Sequence, residues 1–531
     1  MSDIRDSSNQ YPTSEMSVSG DQVYNEPSIR PPSLKELENI STKLGLKLNG
    51  TEDLKQYQSF MKKFCENYDT IDKLVEPTLP VKYPRTPGTR PTAKDNPLNG
   101  WYWKTDIKGA EDGKLAGKTV AIKDNIAVAG VPMMNGCGAL EGYMPEFDAS
   151  VVTRILDEGG HIIGKAACEN LCFSGSSFTS GKGTIRNPVK PLHSAGGSSG
   201  GSAALVASGA VDLAIGGDQG GSIRIPAAWC GIVGQKPTFG LVPYTGAMSM
   251  DPSLDHLGPM AKTVHDCALL LEVLAGYDNG LDPRQPSILP CHEYSKEIED
   301  FDISGLKIGL VSEGFNWPHS DHYVNDLVRG AIMALKQAGA EVEEVSIPML
   351  NYSGAIWECL ACEGTFDNMF NCGGGGTGHS GFYPTSMMAF AGKSFKTKAK
   401  DLSHNGKMFM LSAEYIKQNY PGQWYGKAQN LRRLLREEYE AILKTYDVVA
   451  MPTVPFLAPK LPTKDSSVFD LITESENMSD NLFSADLTGF PALSLNVGFI
   501  DNLPVGAHLE ASPFEEVKLL KVARKLEFMY T

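Results

Sequence analysis

Two Gly-Gly-Ser turns, Gly196–Ser198 and Gly220–Ser222, constrain this chain more than any other feature. Adjacent glycines allow backbone conformations with positive φ, so each turn can bring its serine close to neighbouring backbone or to a ligand. The segment between the turns is patterned: Ala203–Ser208 predicts a helix, and Val211–Ile215 predicts a short buried strand. Two turns joined in this way indicate an organised site more than a flexible surface loop.

The second turn has the residues that acyl transfer requires. A serine hydroxyl needs a base to become a nucleophile, and the reaction needs backbone N–H groups directed at the developing oxyanion. The glycines of Gln219–Ser222 let successive amides point one way, as in an anion-binding nest. Ser222 is therefore a candidate nucleophile whose own turn supplies the oxyanion hole, with a Gly/Ser-rich surface loop as the alternative.

Two other motifs compete for this region. Gly196–Gly200 matches the G-x-S-x-G nucleophile elbow, which would make Ser198 the nucleophile. That motif needs a strand directly before it, and the preceding segment 187–194 contains two prolines, which disfavour a strand. Residues 175–182 resemble a phosphate-binding loop, but their glycine spacing is wrong and Gly183 follows the lysine. We therefore do not expect a phosphate loop.

Lys123 is the candidate base. It follows Val120–Ile122, a predicted buried strand, and strand ends in α/β sheets border ligand crevices. A lysine that loses its hydration there can be neutral and accept a proton. The alternative is a solvated lysine at the end of a strand. His193 is the nearest histidine to the first turn, in a loop where histidines are usually exposed.

Lys123, Gly196–Gly201 and Asp218–Pro226 together resemble the amidase signature family. The resemblance runs from about Leu115 to the C-terminus. It implies a Ser–cis-Ser–Lys triad in which Ser222 is the nucleophile, Ser198 bridges behind a cis peptide bond, and Lys123 is the base. It also implies an oxyanion hole and substrate-binding positions at Gln219, Gly220, Gly221, Ser222 and, as a weaker match, Ser174.

The fold implied by the resemblance is α/β, a large mixed β-sheet flanked by helices on both faces, with a small N-terminal helical region. The alternation of strand and helix patterns after Trp101 also predicts such a sheet. We expect three parts: a polar, disordered tail over residues 1–30, the helical region over 31–85, and the amidase catalytic domain over 86–531.

The helical region has two predicted helices. Ser33 and Glu36 form a capping-box pattern before the first, and the second spans Thr51–Tyr68. Amidases of this family associated with nitrile metabolism have a similar region that contributes to dimerisation, which implies a possible homodimer through these helices. The alternative is a helical arm packed on its own catalytic domain.

Composition limits the partners. The net charge of −15 argues against a surface that binds nucleic acid through its phosphates. We expect no membrane association, since no apolar run approaches the length of a membrane-spanning helix and the N-terminus lacks signal-peptide features. The ten cysteines form no disulfide framework, and Cys359 and Cys362 are a single C-x-x-C without a second pair. We expect reduced thiols, a cytoplasmic location and no metal or organic cofactor.

The function that this pattern predicts is hydrolysis of a small linear carboxamide to a carboxylate and ammonia or an amine, through a serine acyl-enzyme. One alternative is the glutaminase (A) subunit of a tRNA-dependent amidotransferase, disfavoured by the N-terminal helices and by Gln219. Another is a non-catalytic binding protein on the same fold, disfavoured by retention of Lys123, Ser198 and Ser222. Trp357 and Phe366 are candidates for the wall of an acyl pocket, but the sequence favours the alternative that they are packed in the hydrophobic core.

Overall fold

The computed structural model describes residues 29–48, 50–420, 422–475 and 477–530. The chain forms two compact units that divide between Leu79 and Pro80, whereas the sequence pattern predicts the boundary after residue 85. The predicted disordered tail lies almost entirely outside the described residues.

The first unit contains helices α1 (Leu34–Lys43) and α2 (Thr51–Asp72). The Ser33 hydroxyl accepts a hydrogen bond from the Glu36 amide, and the Glu36 carboxylate accepts one from the Ser33 amide, which confirms the predicted capping box. Helix α2 continues four residues past its predicted end at Tyr68.

The second unit holds the remaining elements. Its helices are α3 (Ser150–Asp157), α4 (Gly200–Ser208), α5 (Arg224–Cys230), α6 (Val264–Leu274), α7 (Tyr294–Glu297), α8 (His322–Ala334), α9 (Ser353–Thr365), α10 (Thr385–Thr397), α11 (His404–Asn419), α12 (Trp424–Leu443), α13 (Val468–Thr473), α14 (Phe483–Thr488) and α15 (Glu516–Tyr530). Its strands are β1 (Trp101–Lys108), β2 (Thr119–Lys123), β3 (His161–Ala166), β4 (Leu213–Asp218), β5 (Val233–Lys236), β6 (His256–Ala261), β7 (Lys307–Val311), β8 (Glu341–Val345), β9 (Val448–Pro452), β10 (Ala492–Ile500) and β11 (Leu503–Ala511). Among the described helices, none has the length and apolar composition needed to cross a bilayer.

The strands of the described residues form one eleven-stranded sheet in the order β1-β3-β2-β4-β6-β5-β10-β11-β9-β7-β8. Strands β2, β3 and β4 pair in parallel, as do β7, β8 and β9, while the other pairs are antiparallel. Every residue of β4, β6, β9 and β11 is buried. Because successive side chains of a strand point to opposite faces, both faces of the sheet must be covered. The mixed sheet with helices on both faces is therefore confirmed.

Strand β2 lies between β3 and β4 and runs parallel to both, with Ile122 opposite Ile215 of β4. Neighbouring parallel strands end at the same edge of a sheet, so Lys123 at the end of β2 lies beside the Gly216–Asp218 end of β4. Helix α4 begins two residues after the first serine turn, and helix α5 begins two residues after the second. This edge of the sheet therefore gathers segments that are distant in sequence.

Candidate active site

Lys123 is fully buried at this edge. Its Nζ atom donates a hydrogen bond to Ser198 Oγ at 2.7 Å and another to the Gly217 carbonyl oxygen at 3.0 Å. A lysine ammonium or amine without solvent needs such partners, because an unpaired buried polar group costs free energy. The side chain is thus directed at the serine of the first turn, Gly196–Ser198, which lies 75 residues further along the chain.

The first turn is packed from all sides. The peptide bond between Gly197 and Ser198 is cis, and Ser198 is fully buried. A β-carbon on Gly197 would lie 2.8 Å from Glu169 Cγ and 2.9 Å from the Ser174 carbonyl oxygen, so only glycine fits. The Ser198 carbonyl oxygen accepts a hydrogen bond from the Glu169 amide at 3.2 Å. This turn is therefore held by the segment that follows β3.

Glu169 is a fully buried carboxyl group behind the first turn. Its Oε2 atom accepts hydrogen bonds from the Ser176 hydroxyl and from the amide and hydroxyl of Thr179. Burial raises the pKa of Glu169 to about 7, although these hydrogen bonds act in the opposite direction. The predicted pocket residue Ser174 belongs to the same segment, and its hydroxyl pairs with that of Ser176 at 2.5 Å.

The second turn, Gly220–Ser222, is tied to the first through backbone: the Ser199 amide donates to the Ser222 carbonyl oxygen at 3.2 Å. Ser222 is 8% exposed, whereas Ser198 and Lys123 are 0% exposed, so Ser222 alone of these three reaches the cavity described below. Gly221 has φ of +108°, and a β-carbon there would lie 2.5 Å from Leu482 Cδ1. The structure thus brings Lys123, Ser198 and Ser222 to one place.

Asp218 holds the second turn. Its carboxylate accepts hydrogen bonds from the amides of Gly221 and Ile223 and from two nitrogens of the Arg224 guanidinium. Arg224 also donates to Asp486 at 2.7 Å, and all three charged side chains are fully buried. Burial alone would raise the pKa of Asp218, but the Arg224 charge and its hydrogen bonds hold that pKa below the usual range. Asp218 and Arg224 are therefore structural supports of the turn.

Of the four predicted oxyanion-hole residues, Gly221 and Gln219 have different hydrogen-bond partners. The Gly221 amide donates to Asp218, as described above, which directs that N–H toward the support of the turn. The Gln219 side chain donates to the Tyr244 hydroxyl at 2.9 Å and to Asp255 at 3.0 Å. The backbone carbonyl oxygen of Gln219 accepts a hydrogen bond from Trp357 Nε1. The backbone of the turn is thus fixed from both ends.

A cavity of about 360 Å³ opens over Ser222. Its walls include four aromatic side chains, Phe173, Trp357, Phe409 and Phe483. Their rings pack on one another: Trp357 and Phe483 have centroids 4.6 Å apart, and Phe173 and Phe409 stack at 5.1 Å. Besides Ser222, the lining includes the polar residues Ser174, Gln219, Glu358, Asn405, Ser475, Asn477, Ser479 and Asp480. Among the lining residues that the structure describes, none is lysine or arginine.

The cavity corrects one interpretation and adds residues that the sequence did not reveal. Trp357 lies in the cavity wall and bonds to Gln219, so core packing is not its whole role, whereas Phe366 is not part of the lining. Phe409 and Phe483 come from α11 and α14, and no local motif marks them. Within the described ranges, no group of three or more His, Cys, Asp or Glu side chains is arranged to hold a metal ion.

Comparison with known proteins agrees with this architecture. The profile of the family described as Amidase matches residues 101–520. The chain is 42% identical over 483 residues to an enantioselective amidase of Rhodococcus rhodochrous, covering 90% of this chain and 92% of the relative. It is 38% identical over 429 residues to the A subunit of glutamyl-tRNA(Gln) amidotransferase from Methanosarcina acetivorans, covering 80% and 86%.

A crystal structure of the A subunit of glutamyl-tRNA(Gln) amidotransferase from Thermotoga maritima has a similar fold, with a TM-score of 0.66 at 31% identity. The match covers 81% of this chain and 88% of that protein. The family profile spans most of the second unit, including both serine turns and the strand that ends in Lys123. The chain therefore belongs to the amidase signature family and is an amide-hydrolysing enzyme.

Proposed function

We propose that this enzyme is a stand-alone amidase that hydrolyses a linear carboxamide through an acyl-enzyme on Ser222. The observation that carries the proposal is the buried 2.7 Å hydrogen bond from Lys123 Nζ to Ser198 Oγ, beside a serine that opens to a cavity. A lysine and a serine held in this way form a path along which the proton of Ser222 can leave.

In the proposed mechanism, Ser222 Oγ attacks the amide carbonyl carbon while its proton passes to Ser198 Oγ. Ser198 in turn gives its proton to the neutral amine of Lys123. The oxyanion is stabilised by backbone N–H groups at the second turn. The Gly221 amide already bonds to Asp218, so the candidate donors are the amides of Gln219, Gly220 and Ser222. The C–N bond then breaks, and the proton returns through Ser198 to the leaving amine. Water repeats the sequence and releases the carboxylate.

The cavity supports an aromatic or similarly apolar acyl group. Its volume is at the small end of the range for ligand pockets, which fits a small amide. The rings of Phe173, Trp357 and Phe409 provide flat apolar surfaces on which an aromatic ring packs favourably. We therefore propose aromatic carboxamides as the preferred substrates.

The alternative of a glutaminase subunit is less well supported by the cavity. Glutamine carries an α-carboxylate, which a cationic side chain would bind. The described lining offers no cationic side chain for that carboxylate, whereas the carboxyl groups of Glu358 and Asp480 can pair only with the α-ammonium group. Since the chain is an amide-hydrolysing enzyme, the non-catalytic binding protein is excluded.

The first test is fluorophosphonate labelling of the purified protein, with mass spectrometry to locate the adduct. The Ser222 oxygen would form a bond to phosphorus as fluoride leaves. We expect the adduct on Ser222 and its loss in Ser222→Ala, while Ser208→Ala, an exposed serine at the end of α4, labels like the wild type. An adduct on Ser198 would contradict the assignment of the nucleophile and favour the nucleophile elbow.

The second test is ammonia release from benzamide, acetamide and glutamine, each with the purified chain alone. We expect the highest kcat/KM for the aromatic amide and little turnover of glutamine. A kcat/KM for glutamine that exceeds the value for benzamide would favour the hypothesis of an amidotransferase glutaminase subunit instead.

We also propose that the protein forms a homodimer through α2 and resides in the cytoplasm. The helix has no buried residue, and Tyr57, Phe60 and Phe64 are 53%, 75% and 62% exposed. Residues three or four apart share a helix face, so these rings form an apolar surface suited to a second copy of the chain. The ten free cysteines support a reducing compartment.

Sedimentation of Phe60→Glu/Phe64→Glu tests the dimer. We expect the wild type to sediment as a dimer and the double variant as a monomer, with the exposed control Lys63→Glu unchanged. A monomeric wild type, or a double variant that remains dimeric, would contradict this interface.

A further inference from the structure

Two buried thiols lie beside the proposed catalytic residues and have no part in the mechanism above. Cys168 follows β3, and Cys172 ends a short 3₁₀ turn with φ of +64°. Both Sγ atoms donate to the same acceptor, Asn135 Oδ1, at 3.6 and 3.3 Å. Cys168 is fully buried, whereas Cys172 is 6% exposed and lines the cavity that contains Ser222. One thiol is thus reachable from the substrate cavity, and the other lies behind it.

The surroundings of this pair differ from those of the other buried cysteines. Cys137, Cys230, Cys267 and Cys362 each donate to a backbone carbonyl, and burial raises the pKa of each. The pKa of Cys172 is instead lowered by its hydrogen bond with Cys168, although burial opposes the shift. Thiolate character at an accessible position is what makes a cysteine sensitive to oxidation.

We propose that Cys168 and Cys172 form a peroxide-sensitive dithiol whose oxidation to a disulfide switches amide hydrolysis off. The switch rests on the proposed function, because its output is the activity of the Lys123–Ser198–Ser222 site. The formation of the disulfide itself does not depend on that function.

The oxidation balances with hydrogen peroxide as the oxidant. The Cys172 thiolate attacks one peroxide oxygen: an S–O bond forms, the O–O bond breaks, and the departing hydroxide takes a proton from solvent to become water. Cys168 Sγ then attacks the Cys172 sulfur: the S–S bond forms, the S–O bond breaks, and hydroxide leaves with the Cys168 proton as a second water. The two thiols lose two electrons and peroxide gains them. A dithiol reductant reverses the reaction.

Oxidation would alter the site in two ways. Disulfide sulfurs carry no proton, so the hydrogen bonds that the two thiols donate to Asn135 are lost. The S–S bond, about 2 Å long, also draws Cys172 toward Cys168 and with it Phe173, the next residue in the cavity wall. A displacement of about 1 Å in an active site can cost about 10²-fold in rate, which is the loss we expect.

The test treats the full-length reduced protein with hydrogen peroxide and follows two readouts, kcat/KM for benzamide and the rate of fluorophosphonate labelling at Ser222. A non-reducing tryptic digest then reports the thiols, because both cysteines lie between Lys165 and Lys182. We expect that peptide to lose two hydrogens, both rates to fall about 10²-fold, and dithiothreitol to restore them.

Three variants sharpen the test. Cys172→Ser should lose its sensitivity to peroxide. Cys168→Ser should be inactivated without recovery after prolonged exposure, because Cys172 without a resolving thiol proceeds to sulfinic acid. Cys230→Ser, the matched control, lacks a buried thiol that bonds to the Ala195 carbonyl and should respond like the wild type.

A disulfide that leaves both rates unchanged would overturn the switch, as would inactivation in which the two thiols stay free or in which Cys172→Ser is equally sensitive. A reduced enzyme that hydrolyses no amide but forms the disulfide would count against the proposed function and not against the dithiol. Absence of the disulfide in an active enzyme would overturn the dithiol alone.

Discussion

The two Gly-Gly-Ser turns have identical residues and different surroundings. The first, Gly196–Ser198, is enclosed, contains the cis peptide bond, and bonds to Lys123. The second opens to the cavity at Ser222. Each is backed by a buried carboxyl group, but burial raises the pKa of Glu169 to about 7 behind the first turn, whereas Arg224 keeps the pKa of Asp218 low behind the second.

This contrast shows how one tripeptide can serve two tasks. A serine that relays a proton benefits from an enclosed site in which water cannot compete for its hydrogen bonds. A serine that attacks substrate must reach the cavity, and its amides need a support that keeps them aligned. Because the two turns have the same sequence, the difference between their environments comes from neighbouring residues, including the buried carboxyl group behind each turn.

The largest predicted effect belongs to the second turn. Ser222→Ala should lower kcat/KM for benzamide by about 10⁴-fold or more, because no acyl-enzyme can form. The variant should retain its circular dichroism spectrum and thermal midpoint, since the hydroxyl has no structural partner in the contacts described above. Substantial remaining activity would place the nucleophile elsewhere and remove the functional difference between the turns.

Ser198→Ala and Lys123→Ala should each lower kcat by about 10²–10⁴-fold through loss of proton transfer. Because the two side chains act as one unit, the double variant should be no slower than the slower single variant. Steady-state kinetics of the four proteins measures this coupling, with Lys118→Ala, a half-exposed lysine before β2, as the control. Additive losses would show that the residues act independently.

Arg224→Met should reduce the free energy of unfolding by about 3–5 kcal/mol, since it leaves Asp218 buried without its partner. The surface control Arg90→Met should lose less than about 1 kcal/mol. Because the folded pKa of Asp218 is lowered, its contribution is present above the unfolded value of about 3.9 and is lost as the pH falls further. Urea unfolding between pH 3 and 7 should therefore show a weaker acid dependence in Arg224→Met; an unchanged profile would contradict this account of the second turn.

Glu169→Gln should have a smaller effect with the opposite dependence on pH. The folded pKa of Glu169 is raised, so the folded state retains the proton more tightly, and this carboxyl reduces stability as the pH rises from its unfolded value to about 7. Glu169→Gln removes this contribution, roughly 1–3 kcal/mol over that interval. Urea unfolding at several pH values should show a flatter profile in Glu169→Gln and no change in the exposed control Glu341→Gln. A steeper profile would show that Glu169 is ionised behind the first turn.

Much of the scaffold around the turns could be predicted from sequence. The periodicity of Ala203–Ser208 identifies most of α4, but the helix begins at Gly200, where low helix propensity conceals it. Likewise, the pattern ends the following strand at Ile215, yet β4 continues to Asp218 because Gly216 and Gly217 pair with Gly258 and Leu257 of β6. Pairing with a distant strand overrides the local glycine signal.

For the site, the sequence supplies the residues that lie in motifs and misses those that only the fold assembles. Lys123, Ser198 and Ser222 are candidates from spacing and chemistry. The cavity wall brings Phe173, Phe409 and Phe483 together from three separate segments, and none of these has a recognisable neighbour pattern. For Trp357 the sequence favours core packing because aromatic residues are usually core, and its bond to Gln219 requires the contact between α9 and the second turn.

The parallel pairing of β2 with β4 makes the activity of this enzyme depend on the register of the two strands. Ile122 lies opposite Ile215, and side chains alternate between the two faces of a strand. A shift of the pairing by one residue would turn Lys123 to the opposite face and separate it from Ser198, while most backbone hydrogen bonds of the sheet could re-form. A molecule with β2 in the wrong register would therefore lose activity while its circular dichroism spectrum changed little.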